Sequence, residues 1–234
     1  MDVSMGAEPA ETIKSRRLTR DDWLNAARRT LVKSGIDDVK VDRLAKKLKA
    51  SRGSFYWHFK SHAELLQALL QDWEVRNQVV VVQTRDRWED AAPDMADIGD
   101  VFLRENTIWL DPEINWATQS LAMRLWARKS KLVAKAVLRV DQTWLDLLTE
   151  MFRRSGYSER ESRVRARVNY FHYLGHYSFV TDDVVREMEE LRDTYYHVLV
   201  GGEPSDRYRQ VMEEGLAIYQ KKKKPRRSKG AKQA

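Results

Sequence analysis

Arg52, Ser54, Tyr56, Trp57, His58 and Lys60 fall close together and combine fixed charge, hydrogen-bonding edges and flat aromatic surface. Such a set suits base edges and phosphates better than a bond-making reaction: arginine forks onto a guanine, hydroxyl and imidazole groups donate or accept, and aromatic rings lie against a groove wall. A single helix carrying them is narrow enough for the major groove. The chain has no cysteine, which excludes disulfides, thiolate catalysis and cysteine-ligated zinc. It also has no glycine-rich phosphate loop, no nucleophile elbow and no carboxylate pair that stands apart from surface charge, so it reads as a non-enzyme without a cofactor. His172 and His176 share the i, i+4 spacing that can chelate a metal on one helix face, but no third ligand accompanies them and no metal site is assigned.

The elements that must hold this set are legible. Val41, Leu44, Ala45 and Leu48 recur at spacings of three and four and form one apolar stripe, with Arg43, Lys46 and Lys47 on the other side. Lys49, Ala50 and Ser51 interrupt the pattern before Phe55, Tyr56 and Phe59 resume it, the short connection of a helix-turn-helix. Ser51 is the expected N-cap of the second helix. Upstream, Leu18, Thr19, Asp22 and Trp23 combine a capping box with a hydrophobic staple, and Gly35 supplies the stop for the helix whose face is Trp23, Ala26, Ala27, Thr30 and Leu31. Ser61 and Glu64 repeat the capping box for a fourth helix, whose Leu65, Leu66, Leu69 and Leu70 run on into the rest of the protein.

On the order Gly35, Val41, Leu44-Ala45, Ser51, Gly53, Tyr56, His58-Phe59 and Leu65, the segment 35–65 resembles the N-terminal domain of the TetR family of bacterial transcriptional repressors. The resemblance implies a three-helix DNA-binding head, a helical C-terminal domain that dimerises and binds a small molecule, and release from DNA when that ligand binds. Three positions depart from the pattern. Lys40 stands where threonine usually caps the second helix, Lys49 replaces the glycine of the turn, and His62 replaces a frequent lysine at the start of the fourth helix. A lysine in a left-handed turn costs about 1 kcal/mol, which a charge facing phosphate would offset. At His62 a phosphate contact would be pH-dependent or absent. Arg52, Ser54 and Trp57 are the candidates for base-edge or groove contact, and Lys40, Lys49, Tyr56, His58 and Lys60 for phosphate. Ser51 and Gly53 belong to the same DNA-binding set, and Arg16 and Arg17 to an N-terminal arm.

The net charge of +7 is partitioned along the chain. Residues 14–60 carry 14 lysines and arginines against 5 acidic residues, while 61–220 carry 20 against 27. Positive charge is concentrated where the motif lies, as phosphate binding requires. The expected division is a disordered N-terminus at 1–13, a DNA-binding domain at 14–62, a helical ligand-binding and dimerisation domain at 63–220, and a basic disordered tail at 221–234. The tail, from Lys221 to Arg227 and beyond, reads either as an arm that raises nonspecific DNA affinity or as a solubilising end.

The body reads as helices near 97–109, 114–127, 132–154, 158–180, 183–199 and 205–220, so the whole chain is expected to be all-α. The helix at 158–180 is apolar on two sides. Val164, Val168, Phe171, Gly175 and Phe179 make one face, and Tyr170, Tyr173, Leu174 and Tyr177 the other. One side can pack on its own domain and the other on a second subunit, joined by Val184, Met188, Leu191, Tyr195 and Val198 of the next helix in a four-helix dimer interface. Tryptophans concentrate in the first part of the body, and Trp109, Trp116, Met123, Trp126, Trp144 and Tyr173 are the candidates for lining an effector pocket. Met123 to Arg128 and on through Val140-Asp141 also resembles a recurring C-terminal variant within the family. No apolar run approaches the roughly 20 residues of a membrane span, and the polar, acidic N-terminus lacks a signal-peptide core, so a cytoplasmic protein is expected. The expected partners are a near-palindromic double-stranded operator, a second copy of the chain and a small-molecule effector. An architectural DNA-binding protein without effector is the alternative.

Overall fold

The computed structural model describes residues 17–86, 88, 116–176, 178 and 182–223, and every regular element among them is helical. The helix expected near 97–109, Arg16, and residues 224–234 of the tail lie outside the described residues. The described helices are α1 (Arg20–Ser34), α2 (Val41–Leu48), α3 (Arg52–Tyr56), α4 (His62–Asp86), α5 (Trp116–Ala127), α6 (Lys131–Arg154), α7 (Glu159–His176), α8 (Asp182–Leu199) and α9 (Asp206–Lys223), with a 3-10 turn at Ile36–Asp38.

Local chemistry sets the ends of the head helices. Thr19 Oγ1 accepts the Asp22 amide while the Asp22 carboxylate accepts the Thr19 amide at 2.7 Å, a complete capping box at the start of α1. Gly35, at φ 79°, ends the helix in a conformation that penalises a Cβ. Lys40 precedes α2 without a side-chain cap, and Lys49 turns the chain at φ 52°, ψ 41°, so that the Ala50 amide reaches back to the Ala45 carbonyl at 2.9 Å. Ser51 Oγ accepts the Ser54 amide at 3.1 Å and starts α3.

The start of α4 differs from expectation. Ser61 Oγ accepts the Glu64 amide, but the Glu64 carboxylate accepts the Lys60 amide at 2.7 Å, one residue before the position a capping box would use. The carboxylate thereby ties the α3–α4 connection to the first turn of α4. His62 is also occupied internally: its Nε2 lies 2.6 Å from the Val39 carbonyl and donates to it, which pins the beginning of α4 to the α1–α2 connection.

Beneath these ends lies one aromatic core. Trp23 is fully buried and meets Phe55 edge-on at 5.3 Å, and Phe55 stacks on Phe59 at 5.5 Å. Burying each such side chain stabilises the head by roughly 1.5–3 kcal/mol, enough to hold a five-residue helix that propensity alone would not.

Helix α4 joins this head to the body. Arg28 on α1 is buried and pairs with Asp72 on α4 at 2.6 Å, and Asp72 also accepts from Arg76 at 2.8 Å. Burial depresses the Arg28 pKa, and the Asp72 carboxylate opposes that effect. Two further pairs connect the parts: Lys129, in the turn after α5, meets Asp37 of the head, and Arg139 on α6 meets Glu74 on α4 at 2.7 Å. Helix α6 is the central element of the body and packs on α4, α5 and α7. Trp144 on α6 donates its indole N–H to Asn77 of α4 at 2.9 Å, while Asn77 donates to the Trp73 carbonyl at 2.8 Å. One turn earlier on α6, Asp141 accepts from both Arg124 of α5 at 2.6 Å and the Tyr170 phenol of α7 at 2.7 Å.

Helix α7 has the two faces expected of it. Ala166, Asn169, Tyr170 and Leu174 are buried against the chain itself, whereas Val164, Val168 and Phe171 are 58, 50 and 45 % exposed. Leu191 and Val198 of α8 are likewise exposed. Phe179 and Tyr177 lie outside the described residues, as do the side chains of Val184 and Met188. Gly201 and Gly202, both at positive φ, separate α8 from α9, and a Cβ at Gly201 would collide with the Tyr157 hydroxyl.

Candidate nucleic-acid interface and body cavity

The two aromatics that anchor α3 decide what it presents. Phe55 and Phe59 point into the core, so Arg52 and Gly53 are left exposed, Tyr56 is 52 % exposed and Trp57 80 %. The Trp57 indole thus stands open on the surface beside Tyr56, while Phe55 and Phe59 fill the core beneath. Tyr56 is edge-on to Phe55 at 5.2 Å, so its ring is braced while its hydroxyl end faces solvent. Ser54 and His58 are half-buried, and the Ser54 amide is committed to the cap. Arg17, Lys40, Lys49, Ser51 and Lys60 are exposed around this element, and Arg16 is outside the described residues. Two residues that sequence reasoning passed over also belong to the surroundings of α3. Arg20 places its guanidinium 4.5 Å from the centre of the Phe59 ring, and Asp42 on α2 forms an ion pair with Arg52, Oδ1 to Nε 3.1 Å. Neither carries a periodic signal, because both contacts join residues distant along the chain.

Between α7, α8 and α9 the body has a small cleft of about 30 Å³, open to solvent. Its walls are His172, Tyr173 and His176 from α7, Arg192, Tyr195, Tyr196 and Leu199 from α8, and Val200, Tyr208 and Met212 beyond. The two imidazoles stack at 5.1 Å, His172 lies 5.3 Å from the Tyr195 ring, and Tyr196 lies 4.7 Å from Tyr208. Partial burial lowers the His172 pKa, and the neighbouring His176 adds to the effect, so neutral His172 is favoured. Arg192 accompanies these rings and is paired with Asp193 at 3.0 Å.

Of the residues expected to line a pocket, only Tyr173 is on these walls. Met123, Trp126 and Trp144 are buried in the body core, and Trp144 spends its N–H on Asn77. Their size and helical spacing serve packing. Trp109 and the Trp116 side chain lie outside the described residues. The adjacent tyrosines 195 and 196, with Tyr208 and the histidine pair, were the available signal for the cavity, but sequence spacing relates residues only within one helix. Among the described residues, no group of three His, Cys, Asp or Glu side chains is placed to hold a metal, and no helix is long and apolar enough to cross a membrane.

Comparison with known proteins agrees with the geometry of the head. Residues 24–69 match the model of the family described as bacterial regulatory proteins, tetR family. An uncharacterized HTH-type transcriptional regulator of Pseudomonas putida, TtgW, is 37% identical over 60 residues, which are 26% of this chain and 45% of that protein. The HTH-type transcriptional regulator SrpR of Pseudomonas putida is 40% identical over 52 residues, 22% of this chain and 24% of that one. The chain thus spans less than half the length of these two curated relatives. Among solved structures, SmeT, the repressor of the Stenotrophomonas maltophilia multidrug efflux pump SmeDEF, matches 86% of this chain and 90% of its own at 17% identity, with a TM-score of 0.48.

Proposed function

From a chain whose residues 24–69 match the family of bacterial regulatory proteins described as tetR, we infer a homodimeric, sequence-specific transcriptional regulator, a repressor that leaves its operator when a small molecule binds the body. The observation that carries this reading is the exposed basic and aromatic surface of α3, with Arg52 at its first position and Trp57 just past its end. The first residues of the second helix of a helix-turn-helix are those that reach base edges. Arg52, Ser54 and Trp57 read the groove, and Lys40, Lys49, Tyr56, His58 and Lys60 hold phosphates, with Arg16 and Arg17 as an arm.

One such head buries too little DNA surface for a selective site, so the reading requires two. The half-exposed row Val164, Val168 and Phe171, with Leu191 and Val198 of α8, supports a dimer through α7 and α8. Two heads would address half-sites about 34–36 Å apart in a near-palindromic operator. The effector is assigned to the ring-lined cleft between α7, α8 and α9, which at about 30 Å³ has to widen to admit a planar ligand. Because α7 and α8 contribute to both cavity and dimer surface, a ligand that fits one spacing of the subunits better than another shifts the heads off the operator. The regulator would work in the cytoplasm, on the nucleoid when bound.

Selection of genomic fragments by the purified protein near physiological salt tests the reading, since nonspecific electrostatic binding fades there while base readout survives. Recovery of one near-palindromic site supports it, and fragments without a common site overturn it. The basic run Lys221–Arg227 favours a second reading, an architectural binder that uses head and tail without an effector. Deleting residues 221–234 separates the two: a regulator keeps its sequence preference, whereas an architectural binder loses most of its affinity.

A further inference from the structure

Few acidic residues occur in the basic head, and most have a clear local task. Asp22 closes the α1 capping box, Asp38 pairs with Arg43 and Asp37 with Lys129. Asp42 is different. It forms an ion pair with Arg52, its Oδ1 lying 3.1 Å from Nε, across the helix-turn-helix from α2 to the first residue of α3, with both side chains about two-thirds exposed. So exposed a pair contributes little to stability. A carboxylate beside a phosphate-binding surface also works against DNA affinity. The carboxylate lies on the Nε side of the guanidinium, so the two terminal amino groups of Arg52 remain for the O6 and N7 acceptors of one guanine, the commonest specific arginine contact.

We propose that Asp42 is a positioning residue for base readout: it holds the Arg52 guanidinium toward a guanine edge and so sets one specificity position in each half-site. The assignment rests on the regulator reading above. With Asp42 removed, the long Arg52 side chain samples phosphates as well as bases. Binding to DNA in general then becomes tighter as a negative charge is lost, while discrimination falls.

The test is selection from a random-sequence pool by the full-length wild-type protein and by Asp42→Asn, Asp42→Ala, Arg52→Ala and the double variant Asp42→Ala/Arg52→Ala, followed by affinities for the selected site and its single-base variants. Wild type should prefer guanine by about tenfold or more at one position of each half-site, and Arg52→Ala should abolish that preference. Asp42→Asn and Asp42→Ala should cut it by about threefold or more while affinity for unrelated DNA is unchanged or higher. In the Arg52→Ala background, Asp42→Ala should change the selected sequence no further. If the Asp42 variants select the wild-type sequence with the same preference at every position, the assignment is overturned while the regulator reading stands. If wild type recovers no common site, the regulator reading is overturned and the assignment with it.

Discussion

Lys49 sits at φ 52°, where a glycine would be unstrained, so the head bears about 1 kcal/mol at a solvent-exposed lysine. Lys49→Gly should therefore raise the unfolding free energy by about 1 kcal/mol in denaturant titration. If the ammonium group meets phosphate, the same variant should bind DNA more weakly and with a shallower salt dependence; unchanged binding would mean that the lysine has no such role. Lys60→Ala should weaken binding to all sequences alike and lower the slope of log affinity against log salt by about one, whereas Arg52→Ala should alter which sequences bind. Identical behaviour of the two across operator variants would remove the division between phosphate and base contacts. His172 makes a different kind of prediction. Its pKa is lowered in the fold, chiefly by burial and then by His176, so the unfolded chain takes up its proton first as pH falls. The stability this neutral imidazole contributes is intact above the unfolded value of about 6.5 and is lost progressively below it. Thermal unfolding between pH 7.5 and 5 should show that loss, and His172→Phe should reduce it.

At the scale of elements, α7 connects packing to assembly. Its inner face is held by Ala166, Asn169, Tyr170 and Leu174, with Tyr170 bonded to Asp141, so the helix stays in place whatever covers the outer face. A charge placed on that outer face should therefore spare the fold and break the proposed dimer. Val168→Arg is expected to keep the wild-type helical content, to shift the sedimentation coefficient from dimer toward monomer, and to lose most operator affinity because the two half-sites are no longer bound together. A Val168→Arg variant that remains dimeric would move the interface elsewhere. Helix α3 shows the converse dependence: five residues cannot hold a helix alone, and Phe55 and Phe59 fix it on Trp23. Its presentation of Arg52 and Trp57 is thus a property of the head core.

For the whole molecule, the decisive contacts join head to body. Arg28 and Asp72 form a buried pair between α1 and α4, and removing Asp72 takes away the carboxylate that opposes the burial of the Arg28 charge. Asp72→Ala should cost about 3 kcal/mol by denaturant unfolding, and adding Arg28→Met should recover much of it, because an apolar side chain of similar length needs no counter-charge there. If the double variant is as unstable as the single one, packing and not charge dominates at that junction. The Lys129–Asp37 contact is exposed and adds little energy, but with the buried pair it links the turn between α5 and α6 to the head.

What the sequence determined by itself is what local interactions decide. The capping residues Thr19 and Ser51, the Ser61 hydroxyl on the Glu64 amide, the left-handed turn at Lys49 and the apolar stripe of α2 all depend on neighbours within a few positions, and there sequence and structure agree, the Glu64 carboxylate apart. The two faces of α7 were legible for the same reason, since helical period relates residues on one element. Tertiary structure alone decided the rest. Trp126 and Trp144 became core while Tyr195, Tyr196 and Tyr208 came to line a cavity, because that choice depends on which helices pack together. His62 turned inward to the Val39 carbonyl, Arg28 found Asp72, and Asp42 found Arg52, each across a connection whose closure no spacing records. Periodicity assigns a residue to a face; only the packed fold supplies what that face meets.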